Sequence, residues 1–178
     1  MSSAEEEGPA PARIRPATPG DVPELLAMFG ELADYEQLLD KLVATEERLT
    51  EALFGPRPAA FALIAERAGS AVGYAVYFTT FSTFLSIEGI WLEDIYVRPQ
   101  ERGSGAGRAL LAAVAARLLE RGGERLEWSA LRWNELALGF YEGLGAERME
   151  EWVTLRLTGE HLSRLAAEAA PDVRASRR

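Results

Sequence analysis

The chain contains no cysteine. That removes disulfides, thiolate metal centres and a cysteine nucleophile from consideration. It contains one histidine, His161. A multi-histidine metal site and a serine–histidine–acid triad are therefore not expected, and we read His161 as a structural residue of a late surface helix. No metal is expected. No apolar run approaches the ~20 residues that a membrane-spanning helix needs. The N-terminus is acidic and shows no secretory pattern, so the expected compartment is the cytoplasm. Basic residues are the scarcer charge: 19 Lys and Arg against 28 Asp and Glu, a net charge of −9. Phosphate backbones recruit basic patches, so neither nucleic acid nor a membrane surface is an expected partner. A cationic ligand is compatible with this balance. Part of the charge is simply the run Glu5-Glu6-Glu7, and much of the total serves solubility.

What is present reads as an ordinary folded chain: 178 residues, 48% hydrophobic and 26% charged. That length suits one domain with a sizeable core. Residues 1–12 are Ser, Glu, Ala, Pro and Gly for the most part, and are expected to be a disordered tail. Residues 13–170 form the expected domain, and 171–178 a loose closing tail. Strands are expected over 13–16, 59–67, 71–81, 87–97, 125–131 and 148–157. Thr18-Pro19-Gly20-Asp21 reads as a helix start. The apolar stripe Val22, Leu25, Leu26, Phe29, Leu32, Ala33 carries that helix to about Glu36. Thr45 caps a second helix that stops at Gly55-Pro56. Further helices are expected over 109–119, from Asn134 to about Leu144, and from Thr158 to Pro171. Strands come first as a hairpin and then alternate with helices. The expected fold class is α/β (α+β), a mixed, mostly antiparallel sheet with helices on both faces.

The organising stretch runs from Leu92 to Leu111. In a regular strand, Ile90, Leu92, Asp94 and Tyr96 share one face, and Trp91, Glu93, Ile95 and Val97 the other. Pro99 ends the pairing. Arg102-Gly103-Ser104-Gly105-Ala106-Gly107-Arg108 follows, and then a helix with Leu110, Leu111, Val114 and Leu118 at helical spacing. A glycine loop at a helix N-terminus presents successive backbone N–H groups, a setting for phosphate oxygens. The loop lacks the Gly-Lys-Ser/Thr ending of a P-loop, and its third glycine comes one residue early for a dinucleotide fingerprint. The plainer alternative is that the glycines only turn the chain.

This loop resembles the Arg/Gln-x-x-Gly-x-Gly/Ala signature of the GCN5-related N-acetyltransferases. Asn134-Glu135-Leu136-Ala137-Leu138-Gly139-Phe140-Tyr141 resembles that family's second signature. Ile14-Arg15-Pro16-Ala17-Thr18, Glu31-Leu32-Ala33 with Tyr35-Glu36, Leu92-Glu93-Asp94 and Trp133-Asn134-Glu135 look like its diamine branch (spermidine/spermine and thialysine acetyltransferases). The resemblance covers about 14–162. It implies acetyl-coenzyme A as co-substrate, a small primary amine (polyamine or lysine-like) as acceptor, direct attack without a covalent enzyme intermediate, and a homodimer. The implied coenzyme ligands are Ile95, Tyr96, Val97, Arg102, Gly103, Ser104, Gly105, Ala106, Gly107, Arg108, Asn134, Ala137 and Tyr141. The implied amine pocket is Tyr35, Glu36, Glu93, Glu127, Trp128 and Ser129, with Glu150 or Glu151 the weaker match. The segment Glu142-Gly143-Leu144 departs from the branch, which is basic and less apolar there. The alternatives are a protein or peptide acceptor and a non-catalytic acyl-coenzyme A-binding domain.

Acetyl transfer to an amine sets three requirements. The amine must lose a proton, the thioester oxygen must be stabilised, and the departing thiolate must be protonated. Glu93 is the candidate for the first, because partial burial beside apolar neighbours would raise its pKa. It equally suits a substrate ligand, and Asp94, on the opposite face, is read as structural. Backbone N–H groups of 95–97 suit the second. Tyr141 suits the third, since a phenol of pKa ≈ 10 is protonated near neutrality; by helix spacing alone it would be a core aromatic like Phe140.

Overall fold

The computed structural model describes residues 11–169. The expected tails lie outside the described residues apart from Pro11 and Ala12, and so does Pro171. The elements are β1 (Arg13–Pro16), α1 (Val22–Tyr35), α2 (Glu46–Phe54), β2 (Phe61–Arg67), β3 (Ser70–Ser82), β4 (Ile87–Val97), α3 (Ala106–Glu120), β5 (Arg125–Trp128), α4 (Glu135–Glu142) and α5 (Gly159–Ala167). The chain divides between Ser129 and Ala130 into two compact units.

The first unit holds a sheet in the order β1-β2-β3-β4-β5. Pairing is antiparallel from β1 to β4 and parallel between β4 and β5. Local chemistry explains the antiparallel part. β2 and β3 are joined by the two-residue turn Ala68-Gly69, both at positive φ (49° and 79°), the geometry that matches the twist of a hairpin. β5 needs a crossover to run parallel to β4, and α3 supplies it. Its layer is the face of the sheet that carries Tyr77 and Ile90, beside Arg117 and Glu120 of the helix. The other face packs against α1 and α2: Leu25, Met28 and Leu53 meet Ile64, Tyr74, Val76 and Tyr96. The sequence stripe of α1 thus buries Val22 and Leu25 as expected and adds Met28, while Leu26 is only half-buried.

The central strand departs from the regular alternation expected of it. The β3–β4 register runs Tyr74↔Tyr96, Ala75↔Ile95, Val76↔Asp94 and then Tyr77↔Leu92. Glu93 is the extra residue of a bulge. Directly paired residues share a face, so Ile90 and Leu92 lie with Ile95 and Val97 on the α3 side. Trp91, Asp94 and Tyr96 lie on the α1 side. The expected grouping of Ile90, Leu92, Asp94 and Tyr96 is corrected: one inserted residue inverts every later side chain. Further corrections are smaller. α3 begins at Ala106, not 109, and β5 ends at Trp128, not 131.

In the second unit, Asn134 caps α4 as expected, its Oδ1 accepting from Ala137 N at 3.2 Å. The strand expected over 148–157 does not form. Its alternating Val153, Leu155 and Leu157 suit a strand, but a strand exists only through a ladder partner, and this segment has none among the described residues. Arg148 instead turns back to Glu142 at 2.7 Å, and Trp152 and Leu155 remain 75% and 90% exposed. Among the described residues, no helix is long and apolar enough to cross a membrane.

Ala68 is the first central residue of the β2–β3 turn, at φ 49°, a region that costs an alanine about 1 kcal/mol. Ala68→Asn should raise stability by about 0.5–1 kcal/mol, a few degrees in Tm. Thermal melts of the two proteins check this, and an unchanged or lower Tm for the variant would show that the turn holds no such strain.

Candidate active site

Two features of β4 and its continuation build this site. The first is the loop after the strand. Pro99–Glu101 form one tight turn, Gly103 adopts φ 76°, and Gly105 caps α3 at φ 85°. A side chain at either glycine would be strained. The first helical bond of α3 runs from Ala109 N to Gly105 O at 2.9 Å. The amides of Ala106, Gly107 and Arg108 therefore precede the helical ladder and project from its N-terminus. Starting three residues earlier than the sequence suggests, the helix brings Gly107 and Arg108 into this first turn. Beside them the Ser104 hydroxyl is buried without a hydrogen-bond partner among the described residues. Unmet donors, an unmet hydroxyl, and the exposed cations Arg102 and Arg108 together fit a polyanionic group such as a pyrophosphate.

The second feature is the parting of β4 and β5. β5 pairs only with Gly89–Leu92, ending with Trp128 opposite Leu92. From Glu93 to Val97, β4 keeps β3 as its one strand partner. The other edge of Ile95, Tyr96 and Val97 presents backbone groups with no sheet partner among the described residues, as any strand edge does. The bulge thus coincides with the point where the sheet opens.

Acidic groups gather there. Glu93 is exposed and accepts from Trp91 Nε1 at 3.0 Å. The partial burial expected of it is corrected; the bulge turns its side chain outward. Asp94, read from sequence as structural, takes the sheltered place instead. Its carboxyl is pushed up to about 6, chiefly by burial and then by the charges of Glu93 and Glu36. Burial also raises Glu36, which ends α1. Below them lies Tyr74, fully buried, with no hydrogen-bond partner for its hydroxyl among the described residues. Burial and the fields of Asp94 and Glu36 hold that phenol well above its ordinary value. Tyr35, the other expected residue of α1, is half-buried with the Arg102 guanidinium 4.9 Å from its ring centre.

A clamp behind this cluster ties α1 to the sheet. Arg98 Nη2 donates to Glu31 at 2.7 Å, and Nη1 to Ala71 O at 2.9 Å and to Glu24 at 2.8 Å. Tyr96 OH also donates to Glu31, at 3.1 Å. The Arg98 hydrogen bonds lower the Glu31 pKa. Sequence reading quoted Glu31 within a motif but missed Arg98; no local pattern links residues 67 positions apart.

Of the residues expected on β5, Trp128 is half-buried and Ser129 is exposed just beyond the strand end. Glu127 pairs in register with Trp91, the donor to Glu93, but its carboxylate is held by Arg125 Nε at 2.8 Å. Asn134, Ala137, Tyr141 and Glu150 belong to the second unit. Asn134, Ala137 and Tyr141 are half-buried along α4, with Tyr141 5.3 Å from Phe140 between ring centres, and Glu150 is exposed. Among the described residues, no cluster of three or more His, Asp or Glu side chains is disposed to hold a metal ion.

Comparison with known proteins identifies the family. The acetyltransferase (GNAT) family profile matches residues 27–146. A thialysine N-epsilon-acetyltransferase of Bos taurus is 36% identical over 166 residues, covering 87% of this chain and 97% of the relative. An L-ornithine N5-acetyltransferase of Arabidopsis thaliana is 31% identical over 196 residues, covering 85% and 86%. Among solved structures, an integron cassette protein from the mobile metagenome of V. cholerae aligns with a TM-score of 0.73 at 25% identity, covering 87% of this chain and 97% of that one.

Asp94 supplies a pH signature. Its folded pKa of about 6 lies above its ordinary 3.8, so the folded state holds this proton more tightly than the unfolded chain does. The ionised form therefore carries a folding penalty, absent below pH ~4 and complete above pH ~6. Asp94→Asn should stabilise the protein by about 3 kcal/mol at pH 7.5 and by little at pH 4. Urea unfolding at both pH values measures this; an equal effect at the two would mean that the ionised carboxylate is not the costly group.

Proposed function

We propose a small dibasic amine, a polyamine or a lysine-like molecule, as the acceptor for this chain, which belongs to the GNAT family of acetyltransferases and is an N-acetyltransferase. The observation that carries the proposal is the sheltered Asp94 carboxyl beside Glu36 and Glu93 where β4 parts from β5. A cation placed there gains charge-assisted hydrogen bonds and relieves the mutual repulsion of the acids. Relatives named for thialysine and ornithine, both amino acids with a side-chain amine, support the same choice.

Acetyl-coenzyme A is the proposed co-substrate, and when bound it supplies an acetyl group activated as a thioester. The residues suited to hold it are Arg102, Gly103, Ser104, Gly105, Ala106, Gly107 and Arg108, with the backbone of Ile95, Tyr96 and Val97. Family resemblance adds Asn134, Ala137 and Tyr141. The unmet amides of the α3 first turn and the Ser104 hydroxyl support this assignment.

The division of labour follows from charge and access. Tyr35, Glu36 and Asp94 hold and orient the ammonium, with Trp128 and Ser129 further along the wall. Glu127 and Glu150 are weaker members: the first is already ion-paired and the second is exposed. Glu93 accepts the proton that the amine must lose. Its exposure at the bulge suits a relay through water. The backbone N–H groups on the open edge of β4 stabilise the developing oxyanion. Tyr141 holds a proton for the departing thiolate, and the amine attacks directly. By the same resemblance, residues 13–170 act as one transferase domain in a homodimer, and the acidic balance suits a cytoplasmic protein with no nucleic-acid or membrane partner. The apolar side chains exposed over 149–157 are consistent with an interface between copies.

Thiol release from acetyl-coenzyme A, with lysine analogues, ornithine, putrescine, spermidine and a short peptide as parallel acceptors, tests the proposal. Release with the small dibasic amines is expected. Release with the peptide alone would discard the acidic-pocket reading, and tight coenzyme binding without release to any acceptor would favour a non-catalytic role. Tyr141→Phe should lower kcat by ~10²–10⁴-fold with little change in coenzyme affinity, and Glu93→Gln should lower kcat or raise the amine KM. Wild-type turnover in either variant would remove that residue's role.

A further inference from the structure

The proton acceptor proposed above stands on irregular backbone. Glu93 is the extra residue of the β4 bulge, so no residue of β3 lies opposite it. Its side chain is exposed. A glutamate in that setting samples many rotamers, and few of them aim a carboxylate oxygen at an amine held by Asp94 and Glu36. One contact restricts it: Trp91 Nε1 donates to Glu93 Oε2 at 3.0 Å. Among the described residues, no other group donates a hydrogen bond to this carboxylate.

The donor stands on regular backbone. Trp91 pairs with Phe78 of β3 on one edge and with Glu127 of β5 on the other. Only Leu92 follows it before the β5 pairing ends. Its side chain is half-buried on the α1 side of the sheet, the side that carries Asp94. A residue fixed on both edges therefore reaches forward to one that the ladder leaves free. An indole N–H donates and cannot accept, so it engages the carboxylate in one sense only, at Oε2. The lone pairs of Oε1 stay open to solvent or substrate, and the oxygen already engaged by a donor is the poorer base.

We propose that Trp91 is a positioning residue of the proton-transfer step: its indole N–H fixes Glu93 Oε2 and leaves Oε1 as the atom that receives the amine's proton. In that step an N–H bond of the ammonium breaks and its electron pair stays on nitrogen for attack on the thioester carbon. The proton passes to Oε1, directly or through one water. Asp94 and Glu36 bind the cation, and Trp91 sets which oxygen of Glu93 is free to face it. The assignment rests on Glu93 being the proton acceptor, and it holds for any amine that the pocket admits.

Two variants separate the hydrogen bond from the ring. Trp91→Phe keeps an aromatic ring and removes the N–H. Trp91→Gln removes the ring and keeps an N–H donor the same number of bonds from Cβ. Each is assayed by thiol release with acetyl-coenzyme A saturating and the small amine of highest turnover as acceptor. Trp91→Phe should lower kcat by about tenfold or more, a part of the ~10²–10⁴-fold that a general base supplies. The amine KM should stay within about twofold, the pattern of a contact that matters in the transition state and not in binding. Trp91→Gln should keep more turnover than Trp91→Phe. In a Glu93→Gln background, adding Trp91→Phe should change kcat by less than about twofold, because the group it positions is already gone. Wild-type kcat in Trp91→Phe, an equal loss in Trp91→Gln, or the same loss with and without Glu93 would overturn the positioning role and leave Glu93 standing. Wild-type kcat in Glu93→Gln alone would overturn Glu93 as the acceptor and this role together.

Discussion

One inserted residue in the central strand governs this protein. Glu93 has no cross-strand partner of its own in β3: Val76 pairs with Asp94 and Tyr77 with Leu92. That bulge inverts the faces of every residue between Asp94 and Val97. Ile95 and Val97 turn to the α3 layer, while Asp94 and Tyr96 turn to the α1 layer. The same point is where β5 stops pairing. Without the bulge, Asp94 would lie under α3, and Glu93 would face the α1 layer in its place. The strand edge, the acidic cluster and the entry to the glycine loop all follow from the one irregularity.

The cluster then needs an anchor, because three acids close together repel one another. Arg98 provides it at a distance. It sits one residue beyond β4 and joins Glu24 and Glu31 of α1 to the carbonyl of Ala71 at the start of β3. The ion pairs are partly buried and multidentate, which makes them worth more than exposed pairs. They fix the register of α1 against the sheet, and Glu31 stands little more than one helical turn from Tyr35 and Glu36. Tyr96 reinforces the same carboxylate. Its ring continues through Tyr74 to Phe29 at centroid distances of 6.2 and 4.9 Å. A polar clamp and an aromatic stack thus hold the same helix against the same face, and the acids at its end are held near one another at some cost to stability.

Much of this was legible in the order of residues. The bounds of the central strand, the hairpin before it, the caps at Thr45 and Asn134 and the glycine loop are all local. Each depends on the φ preferences or hydrogen-bonding reach of residues three or four positions apart. The strand expected over 148–157 shows the limit from the other side. Its alternation is as good as that of a real strand, yet pairing is a property of two segments, and one segment cannot announce the absence of its partner. The burial expected of Glu93 failed for a related reason. Perfect alternation placed it among apolar neighbours, and nothing local in Trp91-Leu92-Glu93-Asp94 marks which residue is extra.

The sequence by itself determined the family and the chemical type of the chain: its two signature loops, its acidic balance and its lack of cysteine and of clustered histidine. Those are statements about which groups are present and how they are spaced, and short-range stereochemistry carries them. Only the tertiary structure decided that Asp94, not Glu93, is the sheltered acid, that Glu36 is its neighbour, that Arg98 anchors α1, and that Arg102 stands over Tyr35. Each of those depends on register and on contacts between residues tens of positions apart. A burial, a charge field or an ion pair of that kind comes into being when distant segments pack together, and no stretch of the chain contains it alone.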